Sequence, residues 1–305
     1  MSALRTAALL GLVLLIASCG GGGGGRSPGD AAEREARAQL DGRDGAVVAI
    51  EVPSGRVLLS HGSGETDPVR TLFAPGSTLK ALLAGAALDA GVVTPATRLD
   101  SNRPPFRGVR NFGGAQLGPL TVADALVVSS NVAFAHVAQR LGARRIEAVL
   151  RRAGWGEPLP FDRRSTPSLA DVPSVAPGGR YRDPDITQRS TAGQLALLAA
   201  AIAGDGTVPS GRVWSPRTSA FLRAALRRAV VEGTGLSMAD PELAIAAKTG
   251  TERRADGRIQ ASVIALAPAD EPTVALAVTV VAGAGETGGT AAGPIARAVL
   301  RRLVP

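Results

Sequence analysis

The order of apolar segments predicts an α+β fold: one five-stranded, mainly antiparallel sheet built from both chain ends, with flanking helices and a helical lobe. Three observations carry that prediction. Strand-like runs occur near the start of the chain and return only near its end. The long stretch between them, from about Gly76 to Gly233, reads as helix, and a helical segment stands outside the strands at each end. In chain order, 30–40 is a first helix, and 46–52 and 56–60 are strands joined as a hairpin at Pro53-Ser54-Gly55. In the helical middle, Thr121 with Asp124 and Thr191 with Gln194 are capping-box patterns, and Ser215-Pro216 is a cap followed by proline at the first helical position. Gly91, Gly142, Gly154 and Gly204 are expected stops. Strands follow at 243–251, 258–267 and 273–281, and a last helix covers about 291–303. The terminal helices are expected on one face of the sheet. The stretch 156–189, rich in Pro, Gly, Arg and Asp, is expected to be a long loop bordering a functional region.

A chain of 305 residues with 45% hydrophobic content can bury a full core, and with only 3% aromatics that core must be built from Ala, Leu and Val. The net charge of +8 raises the question of an anionic partner. No nucleic-acid reader motif is present, nor basic residues interleaved with aromatics. The arginines fall in pairs such as Arg144-Arg145, Arg227-Arg228 and Arg301-Arg302, as on solvated helix faces, so nucleic acid is not an expected partner. Lys80 and Lys248 are the only lysines. Arginine cannot give up its proton in a protein and lysine can, which singles out these two positions.

The N-terminus reads as an address. Arg5, the apolar run from Ala7 to Ile16, and the ending Ile16-Ala17-Ser18-Cys19 make a secretory signal too short to be a comfortable membrane span. The ending resembles the lipobox of bacterial lipoproteins, in which the cysteine is acylated and becomes the mature N-terminus. Cys19 is the only cysteine, so a disulfide within the chain is excluded. The run Gly20 to Gly25 is a flexible tether. The expected organisation is a signal peptide over 1–18, a lipidated cysteine and tether over 19–29, and one catalytic domain over 30–305, held outside the cytoplasm on a membrane.

Three short segments carry chemistry. In Pro75-Gly76-Ser77-Thr78-Leu79-Lys80, Ser77 falls in the first turn of an apolar helix, where free backbone N–H groups favour negative charge. Lys80 lies one turn on, so its amine can reach the Ser77 hydroxyl. Burial lowers a lysine's pKa, and a neutral amine beside a hydroxyl is a general base beside a nucleophile. Ser129-Ser130-Asn131 falls inside a helical run over 122–141, where Ser129 and Asn131 can point toward one cleft. Lys248-Thr249-Gly250-Thr251 ends a strand, and a glycine there marks close approach of a backbone or ligand. Each segment alone has an ordinary reading: a helix cap with a solvated lysine, a locally bonded helical Ser and Asn, a strand entering a turn.

Together, with spacings of about 50 and then about 120 residues, they resemble the S-x-x-K, S-x-N and K-T-G signature of the penicillin-binding proteins. The resemblance covers roughly residues 45 to 283. Phe73 to Lys80 is similar to the family's PGSTxK start, Ala125 to Phe134 to its SSN helix, and Ala200 to Gly206 to its AIANDG turn. It implies the penicillin-binding protein/serine β-lactamase-like fold and a transpeptidase domain acting on cell-wall stem peptides that end in D-Ala-D-Ala. Ser77 would be the nucleophile, Lys80 its base, and Ser129 a proton relay to the leaving amine. Asn131 would hold the substrate's side amide, and Lys248, Thr249 and Thr251, around Gly250, its terminal carboxylate. The backbone N–H groups of Ser77 and Thr251 would form the oxyanion hole. β-Lactams would acylate Ser77 as substrate mimics, and no cofactor or metal is implied.

The departures are as informative. Many morphogenetic members carry a large non-catalytic domain before the catalytic one, whereas here the tether leads almost directly to the first strands. A Gly-Gln-Gly turn common in the family is replaced by Thr187-Gln188-Arg189. A serine β-lactamase is the nearest rival, but Glu157 and Asp162 match its deacylating carboxylate only by location, and Ser129-Ser130-Asn131 stands where class D enzymes have S-x-V. A sensing lipoprotein using the same pocket is the non-catalytic alternative. His61, in a turn, and His136, in a helix, do not suggest a histidine-based triad.

Overall fold

The computed structural model describes residues 27–155 and 189–305. The signal, Cys19, most of the tether, Glu157, Asp162, Thr187 and Gln188 therefore lie outside the described residues, as does 156–188 of the expected loop.

Helix α1 (Pro28–Gln39) opens on a complete capping box between Ser27 and Asp30. Strands β1 (Gly45–Glu51) and β2 (Val57–Ser63) form the expected hairpin. Three more strands come from the other end of the chain: β5 (Ala246–Arg253), β6 (Ile259–Ala267) and β7 (Val274–Ala282). The sheet order is β2-β1-β7-β6-β5, with every neighbouring pair antiparallel. Strand alternation sends successive side chains to opposite faces, and each face has its own core. Ala46, Val48, Ile50, Ile264 and Ala277 join the helical lobe, whereas Val47, Ala49, Val263 and Val278 join α1 and α8 (Gly293–Leu303).

The lobe contains α2 (Leu79–Asp89), α3 (Val122–Val127), α4 (Asn131–Leu141), α5 (Ala143–Arg152), α6 (Ala192–Ala203) and α7 (Pro216–Glu232). Helix α6 starts on the Thr191–Gln194 capping box, and α7 on Ser215 with Pro216 in its first turn. Helices α2 and α6 are apolar on nearly every side and buried except for Leu88, Asp89 and Ala200, as all-round hydrophobicity requires. Ala, Leu and Val dominate the core, yet the two largest fully buried side chains are Trp155 and Trp214. A Cβ at Gly85 would sit 2.8 Å from the Trp214 ring, so α2 packs its backbone flat on that indole.

The structure corrects several sequence expectations. The run 122–141 is two helices, broken at residues 128–130, because Ser129 takes a left-handed φ of 55° and Ser130 starts a new helix by accepting from Ala133 N. At α3, Thr121 caps through Asp124 N without the reciprocal bond of a full box. The strand expected at 243–251 begins at Ala246, since Ala244 has φ 46° and Asp240 accepts from the N–H groups of Glu242 and Leu243 in a turn. A two-stranded ribbon, β3 (Thr207–Val208) with β4 (Gly211–Arg212), and a π-turn at Gly288–Ala292 before α8 were not foreseen.

Candidate active site

The site lies where the lobe meets the edge strand β5. Gly76–Thr78 form a single 3-10 turn that runs directly into α2, which places Ser77 one turn before Lys80 as expected. Gly76 has φ 58°, and a Cβ there would stand 2.9 Å from Thr251 N. From the opposite side, a Cβ on Gly250 would collide with Pro75 O. Backbone therefore packs on backbone, and the expected close approach at Gly250 is the turn carrying Ser77. Ser77 is partly exposed, while Lys80, Lys248 and Thr249 are buried.

The two lysines meet on one hydroxyl. Ser129 Oγ lies 3.2 Å from Lys80 Nζ and 2.9 Å from Lys248 Nζ. Lys80 Nζ also donates to Ser129 O at 2.7 Å and to Asn131 Oδ1 at 2.6 Å, and lies 5.9 Å from the centre of the Phe134 ring. Burial, reinforced by the nearby Lys248, holds the Lys80 amine well below the usual lysine range, and burial pushes Lys248 down to about 7.

Counting hydrogens shows what this arrangement can do. A neutral Lys80 has two N–H bonds and one lone pair. Ser129 O and Asn131 Oδ1 are pure acceptors and take both hydrogens. The lone pair is left for a hydroxyl. Ser129 Oγ, which accepts from Lys248 and lies 3.2 Å from Lys80 Nζ, can turn its own hydrogen toward that lone pair once Lys80 is neutral. Among the described residues Lys80 Nζ bonds Ser129 and Asn131, so the reach to Ser77 Oγ that the helix spacing allows is not taken up as a hydrogen bond here.

On the other face of β5, two hydroxyls are set for an anion. Thr251 Oγ1 accepts from Gly288 N at 2.9 Å, so its hydrogen is free to donate outward. Thr249 Oγ1 and Thr234 Oγ1 are 3.0 Å apart; a pair sharing one bond keeps one hydrogen to give. With Lys248 preceding Thr249 and Thr251 on the same strand, these groups can grip a carboxylate by charge-assisted bonds. Among the expected site residues, Lys80, Ser129, Asn131 and Lys248 are joined by hydrogen bonds, and the turn carrying Ser77 packs by its backbone on Gly250 and Thr251.

The family model described as the penicillin-binding protein transpeptidase domain matches residues 45–168 and 169–301. The chain belongs to the penicillin-binding protein transpeptidase family. It is 32% identical to the peptidoglycan D,D-transpeptidase PbpA of Mycolicibacterium smegmatis over 80% of this chain and 56% of the relative. It is 29% identical to the Mycobacterium tuberculosis PbpA over 84% of this chain and 66% of that one. The chain therefore spans about half to two thirds of these relatives' lengths. The fold matches the solved D,D-transpeptidase domain of an Eggerthella lenta peptidoglycan glycosyltransferase, with a TM-score of 0.77 and 24% identity, covering 90% of this chain and 81% of that one. It also matches M. tuberculosis penicillin-binding protein A, solved as a ceftriaxone acyl-enzyme complex, with a TM-score of 0.77 and 24% identity, covering 92% and 79%.

Within this transpeptidase domain, sequence reading missed Thr234, Gly288, Ser101 and Asn111. Thr234 stands between Gly233 and Gly235 in a turn whose only local signal is that pair of glycines. Asn111 and Ser101 are buried behind Ser130: Ser130 Oγ donates to Asn111 Oδ1 at 3.0 Å and bonds Ser101 Oγ at 2.5 Å. His136, left out of the site by sequence, bonds Arg103 O instead.

Proposed function

We propose that this chain is a D,D-transpeptidase that acylates Ser77 with peptidoglycan stem peptides ending in D-Ala-D-Ala. One observation carries the reading: the only two lysines of the chain converge on Ser129 Oγ beside the Ser77 turn. In the proposed cycle, Lys80 takes the Ser77 proton as Oγ attacks the penultimate D-Ala carbonyl. The backbone N–H groups of Ser77 and Thr251 hold the oxyanion. The proton passes through Ser129 to the departing amine of the terminal D-Ala. An amine from a neighbouring stem then takes the acyl group and frees Ser77, with water as the carboxypeptidase variant. Lys248, Thr249 and Thr251, around Gly250, hold the terminal carboxylate, and Asn131 the side amide. Support comes from the family match, from two D,D-transpeptidase relatives, and from the neighbour captured as a β-lactam acyl-enzyme.

The test is a fluorescent penicillin followed over hours, with mass spectrometry of the adduct. Stable label on Ser77, together with cross-linked product or D-Ala release from a stem pentapeptide, is the expected result. Transient label would assign the chain to the β-lactamases, label without peptide turnover to a sensor, and no label to a dead site. We further propose that the protein works outside the cytoplasm as one domain over 30–305, tethered through an acylated Cys19 after removal of 1–18. Cys19→Ser should leave it soluble or unprocessed; normal processing with salt-resistant membrane binding would refute the anchor.

A further inference from the structure

Ser129 carries the hydroxyl shared by both lysines in a backbone conformation that non-glycine residues avoid, with φ 55°. Such a residue persists only where its surroundings over-determine it. The restraint comes from the segment between α2 and α3. Asn111 is 7% exposed and uses its whole side-chain amide. Its Nδ2 donates to Ser101 O at 2.7 Å and Ala115 O at 2.9 Å, and its Oδ1 accepts from Ser130 Oγ at 3.0 Å and Val132 N at 3.2 Å. The two carbonyl partners of Nδ2 and the backbone N–H on Oδ1 fix the amide's orientation. Ser130 is saturated as well, donating to Asn111 and accepting from Ser101 Oγ and Ala133 N. One residue before Asn111, Arg110 O accepts from Asn131 Nδ2 at 2.8 Å, which turns the opposite end of that amide toward Lys80. Residues 130, 131 and 132 are thus each tied to residue 110 or 111.

We propose that Asn111 is a positioning residue for the acylation step, holding the Ser129–Asn131 turn so that Ser129 Oγ and Asn131 Oδ1 meet Lys80. It touches neither lysine and acts through Ser130, Val132 and the backbone it shares with Arg110. The inference rests on the acyl-enzyme reading above. Losing the Asn111 amide releases the left-handed residue to an ordinary conformation, and a shift of about 1 Å in catalytic geometry costs on the order of 100-fold in rate.

The test is a double-mutant cycle on the second-order rate of acylation by a fluorescent penicillin, using Asn111→Ala, Ser129→Ala and the pair in the full-length protein, with thermal melts alongside. Asn111→Ala is expected to lose about 10- to 100-fold. In the Ser129→Ala background, where that hydroxyl is already gone and only the Asn131 contact can still be disturbed, the same change should cost at least about threefold less than in the wild-type background. Equal losses in the two backgrounds would overturn the proposal by making Asn111 a general structural residue, and so would no loss in the wild-type background. If Asn111→Ala does not fold, Ser101→Ala, which removes one hydroxyl behind Ser130, takes its place with about a fivefold expected loss and the same required non-additivity. A wild-type protein that takes no label refutes the acyl-enzyme reading; a labelled wild type with an additive cycle refutes only the role of Asn111.

Discussion

The two lysines differ more in what surrounds them than in burial. Lys80 stands in the first turn of a buried helix, and two of its three hydrogen-bond partners are oxygens that can only accept. Lys248 stands on an edge strand, with Thr249 O and the Ser129 hydroxyl as partners and two threonines beside it on the strand. A cage of acceptors leaves a neutral amine one lone pair and nothing else to do with it. A strand edge offers a charge with hydrogens to spare. In the proposed cycle the same side chain serves as a base in one place and an anion clamp in the other, and environment alone makes the difference.

Lys80→Arg is the harshest way to break this comparison. A guanidinium cannot be neutral, so acylation by penicillin should fall about 100- to 10,000-fold with the melting temperature little changed. Next in size is Thr251→Val, which removes the hydroxyl proposed to bind the carboxylate and should slow acylation by carboxylate-bearing β-lactams about tenfold or more. Lys248→Arg should cost about tenfold or less, because arginine also binds carboxylates. Equal losses for the two arginine variants, read as second-order acylation rates, would erase the distinction drawn between the lysines.

The smallest effect is on stability. Both lysines have folded pKa values below the unfolded value of about 10.4, so between the two values the unfolded chain binds more protons and stability rises with pH. For Lys248 that window opens near 7 and closes near 10.4; below it the residue is protonated in both states and contributes no slope. Melting temperature should climb across this window, and Lys248→Met should flatten the climb. A wild-type curve already flat from pH 7 to 10 would contradict the burial of these amines.

How much of this was legible in sequence depended on where the determining contacts lie. Strand alternation, the caps at Thr191 and Ser215, and the turn before Lys80 are set within a few residues, and the structure has them where the sequence put them. The break at residues 128–130 escaped the sequence reading, because apolar runs on both sides of Ser129-Ser130-Asn131 join as one helix and the contacts that fix the break lie 29 and 19 residues upstream, at Ser101 and Asn111. A local signal did exist: Ser130, three residues before Ala133, is a helix cap as readable as Ser215. The resting partners of Lys80 were out of reach for another reason. Spacing on a helix says what an amine can touch, but not which acceptors a second segment will bring to it.

Gly76, Gly250 and Gly288 stack at one point, each with a neighbouring backbone where its side chain would be: Gly76 on Thr251, Gly250 on Pro75, and Gly288 on Gly250 and Ser262. The distance from the Ser77 turn to the strand beside it is therefore set by main chain alone. A gap of that kind has no side chain to trim or extend, so selection has no small step by which to widen or narrow it. Adaptation to a new acyl group, or escape from an inhibitor, must be recruited from the rim of the cleft while its central spacing stays constant.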